Sequence, residues 1–368
     1  MTSTAEKVTV RQVVDLPAPP PSEVTEHRVH QCRCGRCDAV TRGVFPEGVS
    51  GPVQYGPRIA GIASYLQTYR CIPEERFSLV LSDLFGLSAV PATLARLIGR
   101  TADRLQPFAK AVCKGLSGPQ VAVKHLDETG LRVAGKTQWL HVICSPLLSH
   151  FRVSSRRGDL LKGVSGLVVH DHWGPYFTME GVRHALCNAH HFRELKALIM
   201  IEKEPWATDM KAVLLKAKAL ADTRTNDLTV DADVVGELLQ RYNGILTQAV
   251  TFHEVQPPLL PNPDDKRRRG RPKRRTGHNL ALRLQKRKTE ATRFLSEPNV
   301  PFTNNEAERD LRMGKVRQKV SGCFRVVRGA EVFCTLRTVT CTERKQGWSI
   351  IETLTKPADQ LIAEMRLG

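Results

Sequence analysis

Three carboxylates, Asp127, Asp171 and Glu308, sit in stretches whose patterns explain their positions. Asp127 closes the apolar run Val121-Ala-Val-Lys-His-Leu-Asp127, and Asp171 closes Gly166-Leu-Val-Val-His-Asp171. Both runs predict strands that deliver an acid at their C-terminal ends. Glu308 lies in Thr303-Asn-Asn-Glu-Ala-Glu308-Arg-Asp-Leu-Arg312, where a capping residue precedes a helix. Acids so placed can converge although they are far apart in the chain, and such oxygen donors suit Mg2+ or Mn2+. The matching chemistry is phosphodiester substitution, in which two cations about 3.5–4 Å apart serve the attacking and leaving oxygens. Neighbouring acids compete for these roles. Glu128 should point to the opposite strand face from Asp127, and Glu306 and Asp310 should face aside from Glu308 on a helix.

The elements that must position these acids belong to a chain of 368 residues, 41% of them apolar, long enough for two or three domains with a real core. No long uninterrupted apolar segment predicts a membrane span, and the start lacks the apolar centre of a secretory signal, so a cytoplasmic protein is expected. Ten cysteines, mostly dispersed in apolar stretches, read as reduced core thiols, not as a disulfide framework. The net charge of +18 favours a polyanionic partner, DNA. Eight of the ten residues 266–275 are basic, and within them Arg269-Gly-Arg271-Pro resembles the core of an AT-hook, with Lys273 following. Glycine and proline would hold that run extended so that its arginines enter a narrow A·T minor groove; a solvated basic linker touching phosphates is the plainer reading.

Along the chain, residues 1–50 read as irregular, with a Cys34-x-x-Cys37 knuckle that has the spacing of half a zinc site; Cys32, His27 or His30 are candidate further ligands. Residues 51–115 read as helical, and Pro73 to Leu97, with a turn at Gly86, has the form of a DNA-binding helix-turn-helix or of a packed helical hairpin. From 116 to 340 the period changes. Strands are expected at Val121 to Asp127, Trp139 to Cys144, Phe151 to Ser154, Leu167 to Asp171 and Arg183 to Cys187, followed by a helix from His190 to Ile199. That order, with aspartates on the first and fourth strands, is that of an RNase H-like α/β core. The long span before Glu308 requires a helical insertion at about 196–300, with amphipathic helices marked by Trp206, Met210, Val213, Leu214 and Ala217 and by Val235, Leu238, Leu239, Tyr242 and Leu246. A further helix is expected from Leu280 to Leu295, and residues 341–368 form a helical tail.

Taken together, Asp127-Glu-Thr-Gly-Leu-Arg-Val, Val169-His-Asp171-His-Trp-Gly-Pro-Tyr, Ala185-Leu-Cys187-Asn-Ala-His190-His-Phe-Arg193-Glu-Leu, Asn304-Asn-Glu-Ala-Glu308-Arg309-Asp-Leu-Arg312 and Ser321-Gly-Cys-Phe-Arg325 resemble the DDE transposases of the insertion-sequence-66 type. The resemblance runs from about Val10 to the C-terminus. It implies an RNase H-like core with a helical insertion and places the acidic triad on Asp127, Asp171 and Glu308. The implied reaction is metal-dependent hydrolysis at the ends of an insertion sequence, after which the freed 3′-OH is joined to target DNA at the same site. Arg309 and Arg312 are candidate phosphate contacts, or ordinary ion-pair partners on the helix surface. Cys187-x-x-His190 resembles a motif that orders the catalytic core in several DDE families, and it is read here as structural support in preference to metal binding. The resemblance further implies a homo-oligomer on DNA and accessory proteins of the same element.

One departure bears on activity. Members of the family carry a longer N-terminal region with a further cysteine pair, so this chain reads as a shortened member. The competing expectations are a truncated or catalytically silent DNA-binding descendant, and a nuclease or resolvase that cuts without joining.

Overall fold

A computed structural model describes residues 9–19, 21–224, 231–259 and 273–368. The N-terminal stretch holds a small antiparallel ribbon of β1 (Gln31–Arg33) and β2 (Val40–Arg42). Helices α1 (Pro57–Ser64), α2 (Glu74–Phe85) and α3 (Pro91–Ser117) follow. A five-stranded sheet comes next, formed by β3 (Val123–Val133), β4 (Lys136–Cys144), β5 (Ser149–Ser154), β6 (Gly166–His170) and β7 (Val182–Leu186). Its order is β5-β4-β3-β6-β7; the first two pairings are antiparallel and the last two parallel. The sequence explains the β3–β4 hairpin directly. Val133 pairs with Lys136 across Ala134 and Gly135, both at positive φ (49° and 74°), and a two-residue turn of that shape matches the twist of its strands.

Beyond the sheet come α4 (Asn188–Ala197), α5 (Pro205–Asp222), α6 (Ala232–Glu254), α7 (Thr276–Lys286), α8 (Lys288–Ser296), α9 (Asn305–Ser321), α10 (Val327–Gln346), α11 (Ile350–Thr355) and α12 (Ala358–Glu364). Trp206, Met210, Val213, Leu214 and Ala217 form the buried stripe of α5, which meets Leu238, Tyr242 and Leu246 of α6 in a core shared with β6 and β7. The expected single helix from Leu280 to Leu295 is instead two. The backbone leaves helical geometry at Arg287 (φ −111°, ψ 29°), whose guanidinium lies 3.6 Å from the centre of the Phe177 ring and 2.8 Å from Glu290. A periodic apolar stripe does not register such a break, because α7 and α8 both keep their apolar faces inward.

On the other side of the sheet, α3 does not stand apart. Leu105, Phe108, Val112 and Leu116 share one core with Leu126, Ile143 and Val168 of the strands and Leu336 and Val339 of α10. Each such large apolar side chain contributes about 1.5–3 kcal/mol on burial. The edge strand β5 is closed by α10 through hydrogen bonds: the backbone N–H groups of Ser149 and Phe151 donate to the hydroxyls of Thr342 (3.1 Å) and Thr338 (3.0 Å). An edge whose donors are thus satisfied offers no template for another strand. Among the described residues no helix is long and apolar enough to cross a membrane.

Candidate active site

β3 does not end at Asp127. Its alternation continues through Leu131 and Val133 into the hairpin, so the acid lies mid-strand. What ends near Asp127 is the parallel pairing: His125 is the last β3 residue opposite β6, at Val169, and the same register continued two places sets Asp171 beside Asp127. Asp171 lies just past β6, where its carboxylate accepts the Trp173 N–H at 2.9 Å and turns the chain out of the sheet.

The odd-numbered face of β3 meets α9. Leu131 and Val133 pack with Ala307 and Leu311. Gly314 brings the helix closer still, since a Cβ there would stand 2.6 Å from Leu140 of β4. Asn304 is the N-cap of α9 by position, yet its side chain makes no cap hydrogen bond. Instead it reaches β3: Nδ2 donates to the Leu126 carbonyl (2.7 Å), and Oδ1 pairs with His125 Nδ1 (2.9 Å). Its own N–H donates to Cys187 Sγ (3.1 Å), and its carbonyl accepts the Glu308 N–H (3.2 Å). One residue, 1% exposed, therefore ties the strand of Asp127, the end of β7 and the turn bearing Glu308.

Asp127 stands close enough to Asp171 and Glu308 for both to perturb it. Burial pushes its carboxyl up to about 7; Glu128, Asp171 and Glu308 add to the rise, against a backbone hydrogen bond from Glu128. Glu128 itself points to the even face. It is buried there, paired with Arg157 at 2.6 Å and hydrogen-bonded by the Tyr176 hydroxyl. Glu306 and Asp310 also look away from the cluster, both paired with Lys345 of α10 (2.7 and 3.3 Å).

Glu308 closes the other side of the site. Arg193 of α4 pairs with it at 3.1 Å, His190 Nδ1 lies 3.6 Å from its Oε1, and Cys187 Sγ lies 3.8 Å from the same oxygen. Burial pushes the Cys187 thiol up, against backbone hydrogen bonds from Asn304, His190 and Ala189. An open groove runs past Asp127, Thr129, His190 and Glu308, with Arg312 and Lys315 on its rim. Glu308, Leu311, Arg312 and Lys315 share one helical face by their spacing. Arg309 is exposed but does not line the groove.

His170 and His172 do not join the acids. His170 is fully buried, hydrogen-bonded to His184 (3.0 Å) and stacked on Tyr176, and burial lowers it to about 3. His172 lies against Phe177, lowered to about 4 by burial and then by Arg283 and Arg287. At the N-terminus, Cys34 and Cys37 are exposed in the turn between β1 and β2, and among the described residues no third ligand-type residue joins them at metal distance, neither Cys32, His27 nor His30. Arg269 and Arg271 lie outside the described residues, while Lys273 is exposed.

Arg193, Asn304, His125 and Lys345 are the site residues that sequence reasoning did not assign. The clue to His125 was a polar residue inside an apolar run; Arg193 and Asn304 stood within the quoted motifs without a role.

Fold and site thus define a mixed α/β protein with an acidic cluster in a groove rimmed by cations. The sequence matches the family described as Transposase IS66 family over residues 52–332, and the chain belongs to that family. Membership makes it a protein of DNA transposition. No curated protein matches the chain.

Proposed function

We propose that the protein is a DDE transposase that hydrolyses the phosphodiester at the ends of an insertion sequence and joins the freed 3′-OH to target DNA. The observation that carries this reading is that Asp171, at a strand end, and Glu308, on a helix, both act on Asp127 of β3, with Asp127 and Glu308 lining one groove. The strand order and the mix of antiparallel and parallel pairing support an RNase H-like core.

The donor set fits Mg2+ or Mn2+. The burial that raises Asp127 disfavours its ionised form unless a cation compensates, although the ligand oxygens of the three acids do not all stand within 4.8 Å of one another. Asp127, Asp171 and Glu308 would hold the ions, which when bound supply charge stabilisation at the scissile phosphate. The protein's own groups do the positioning. Asn304 fixes β3 against α9, and Arg312 and Lys315 on the rim, with Arg193 beside Glu308, offer charge to the DNA backbone. The helices at 51–115, the basic run 266–275 with Lys273, and exposed Arg309 extend that contact. Zinc at Cys34 and Cys37, a homo-oligomer pairing two DNA ends, and accessory proteins of the element complete the reading. A protein active on bacterial DNA belongs in the cytoplasm.

The test is cleavage and strand transfer on labelled element-end DNA with Mg2+ or Mn2+, comparing the protein with Asp171→Ala at matched DNA binding. Nicking and joining that the variant loses support the proposal; DNA binding without either reaction marks a silent descendant, and cutting without joining marks a nuclease.

A further inference from the structure

Among the described residues, the only group of three or more histidine, cysteine or acidic side chains with ligand atoms gathered at metal distance is Cys187, His190 and Glu308. These atoms all lie within 4.8 Å of one another, with Sγ to Oε1 at 3.8 Å and Nδ1 to Oε1 at 3.6 Å. A tetrahedral zinc ion with ordinary bond lengths sets such ligand atoms about 3.4–3.6 Å apart. The two distances to Glu308 therefore need to close by only a few tenths of an ångström.

The surroundings are those of a donor set awaiting an acceptor. His190 Nδ1 is buried and has no hydrogen-bond partner, while its distance to Glu308 is too long for a hydrogen bond. Burying such an atom unpaired is costly, and a metal would satisfy its lone pair. The Cys187 sulphur accepts the Asn304 N–H at 3.1 Å. Cys187 and His190 stand on one helical turn, held at fixed separation by the His190 N–H to Cys187 carbonyl bond of 3.2 Å. His190 and Glu308 line the groove, so a fourth position faces open space.

We propose that Cys187, His190 and Glu308 form a binding site for one thiophilic divalent cation of the zinc class, with its fourth position open to the groove. Sulphur and imidazole select zinc over magnesium, so this site is chemically distinct from the all-oxygen cluster although it shares Glu308 with it. The inference rests on the geometry of these three residues and not on the transposition reading.

The probe is Co2+, which reports thiolate ligation by a charge-transfer band and tetrahedral geometry by its visible bands. The full chain carries Cys32→Ser, Cys34→Ser and Cys37→Ser, so that the N-terminal thiols contribute nothing. A thiolate band that saturates at one equivalent, is displaced by Zn2+ and disappears in Cys187→Ser is expected. Because Cys187 is buried, His190→Ala serves as the second variant; its side chain is partly exposed, and it should weaken Co2+ binding about 10–100-fold with circular dichroism unchanged. Asp127→Ala and Asp171→Ala should keep the band even if they abolish DNA cleavage, which separates this proposal from the catalytic one. Absence of the band in the knuckle-free background, or a band that survives Cys187→Ser or His190→Ala at full affinity, overturns the site.

Discussion

Replacing Asn304 tests whether one buried side chain holds the acidic cluster together. In Asn304→Ala the Leu126 carbonyl loses its 2.7 Å donor and His125 Nδ1 its 2.9 Å partner, both in the interior. A buried polar group left unpaired costs about 1–3 kcal/mol. Glu306 meets the other ring nitrogen of His125, at 3.6 Å, and does not replace the lost partner, so two unpaired groups bring the sum to about 2–6 kcal/mol. The cost falls where β3 meets α9, so Asp127 and Glu308 lose their fixed separation, and cleavage should drop further than the unfolded fraction explains. Asn304→Asp separates packing from pairing. It keeps the shape and the acceptor for His125, removes the donor to Leu126 and adds a charge beside the carboxylates. Urea unfolding followed by circular dichroism measures the first quantity; single-turnover cleavage of labelled end DNA at fixed Mg2+ measures the second. An Asn304→Ala protein within about 0.5 kcal/mol of the parent, the range of an inconsequential surface change, and with unchanged cleavage would refute the reasoning.

Three further outcomes follow from other parts of the structure. With Asp127 raised from 3.8 to about 7 in the fold, the folded state holds the proton more tightly than the unfolded chain, so metal-free stability should fall as pH rises from about 4 to about 7 and level off above; Asp127→Asn should flatten that slope in pH-dependent thermal melts. Thr338→Val keeps the shape but strands the Phe151 N–H, so it should cost about 1–3 kcal/mol and remove hydrogen-exchange protection at Phe151. Arg312→Gln on the groove rim should weaken DNA binding and reduce the slope of log affinity against log salt by about 1, measured by fluorescence anisotropy over a salt series.

Much of the sheet was legible because its strands are short apolar runs with acids at informative places. Asp127, Asp171 and Glu308 could be picked out, and the inward stripe of α5 could be written down residue by residue. What escaped was whatever depends on a partner distant in the chain. Asn304 reads locally as a helix cap, but its side chain serves Leu126, 178 residues away, because a buried carbonyl on β3 needs that donor more than the helix end does. Lys345 answers Glu306 and Asp310 from another helix, which no spacing on α9 reveals. The apolar stripe of α3 shows that a face is buried but not what it meets; in the fold it meets the sheet and α10. The strand of Asp127 outruns its apolar stretch, which closes at Asp127, because the hairpin to β4 carries pairing through Glu128, Thr129 and Gly130.

The convergence of the three acids on bound cation is tested most directly by metal-directed backbone cleavage. Fe2+ is loaded in place of Mg2+, hydroxyl radicals are generated at the ion, and the peptide cuts are mapped in a His190→Ala background, which weakens the cysteine and histidine site without occupying Glu308. The account predicts cuts clustered around residues 127, 171 and 308 together, all suppressed by Mg2+ and all lost in Asp171→Ala. Cuts at one of these segments alone, or cuts at all three that Mg2+ does not suppress, would contradict it.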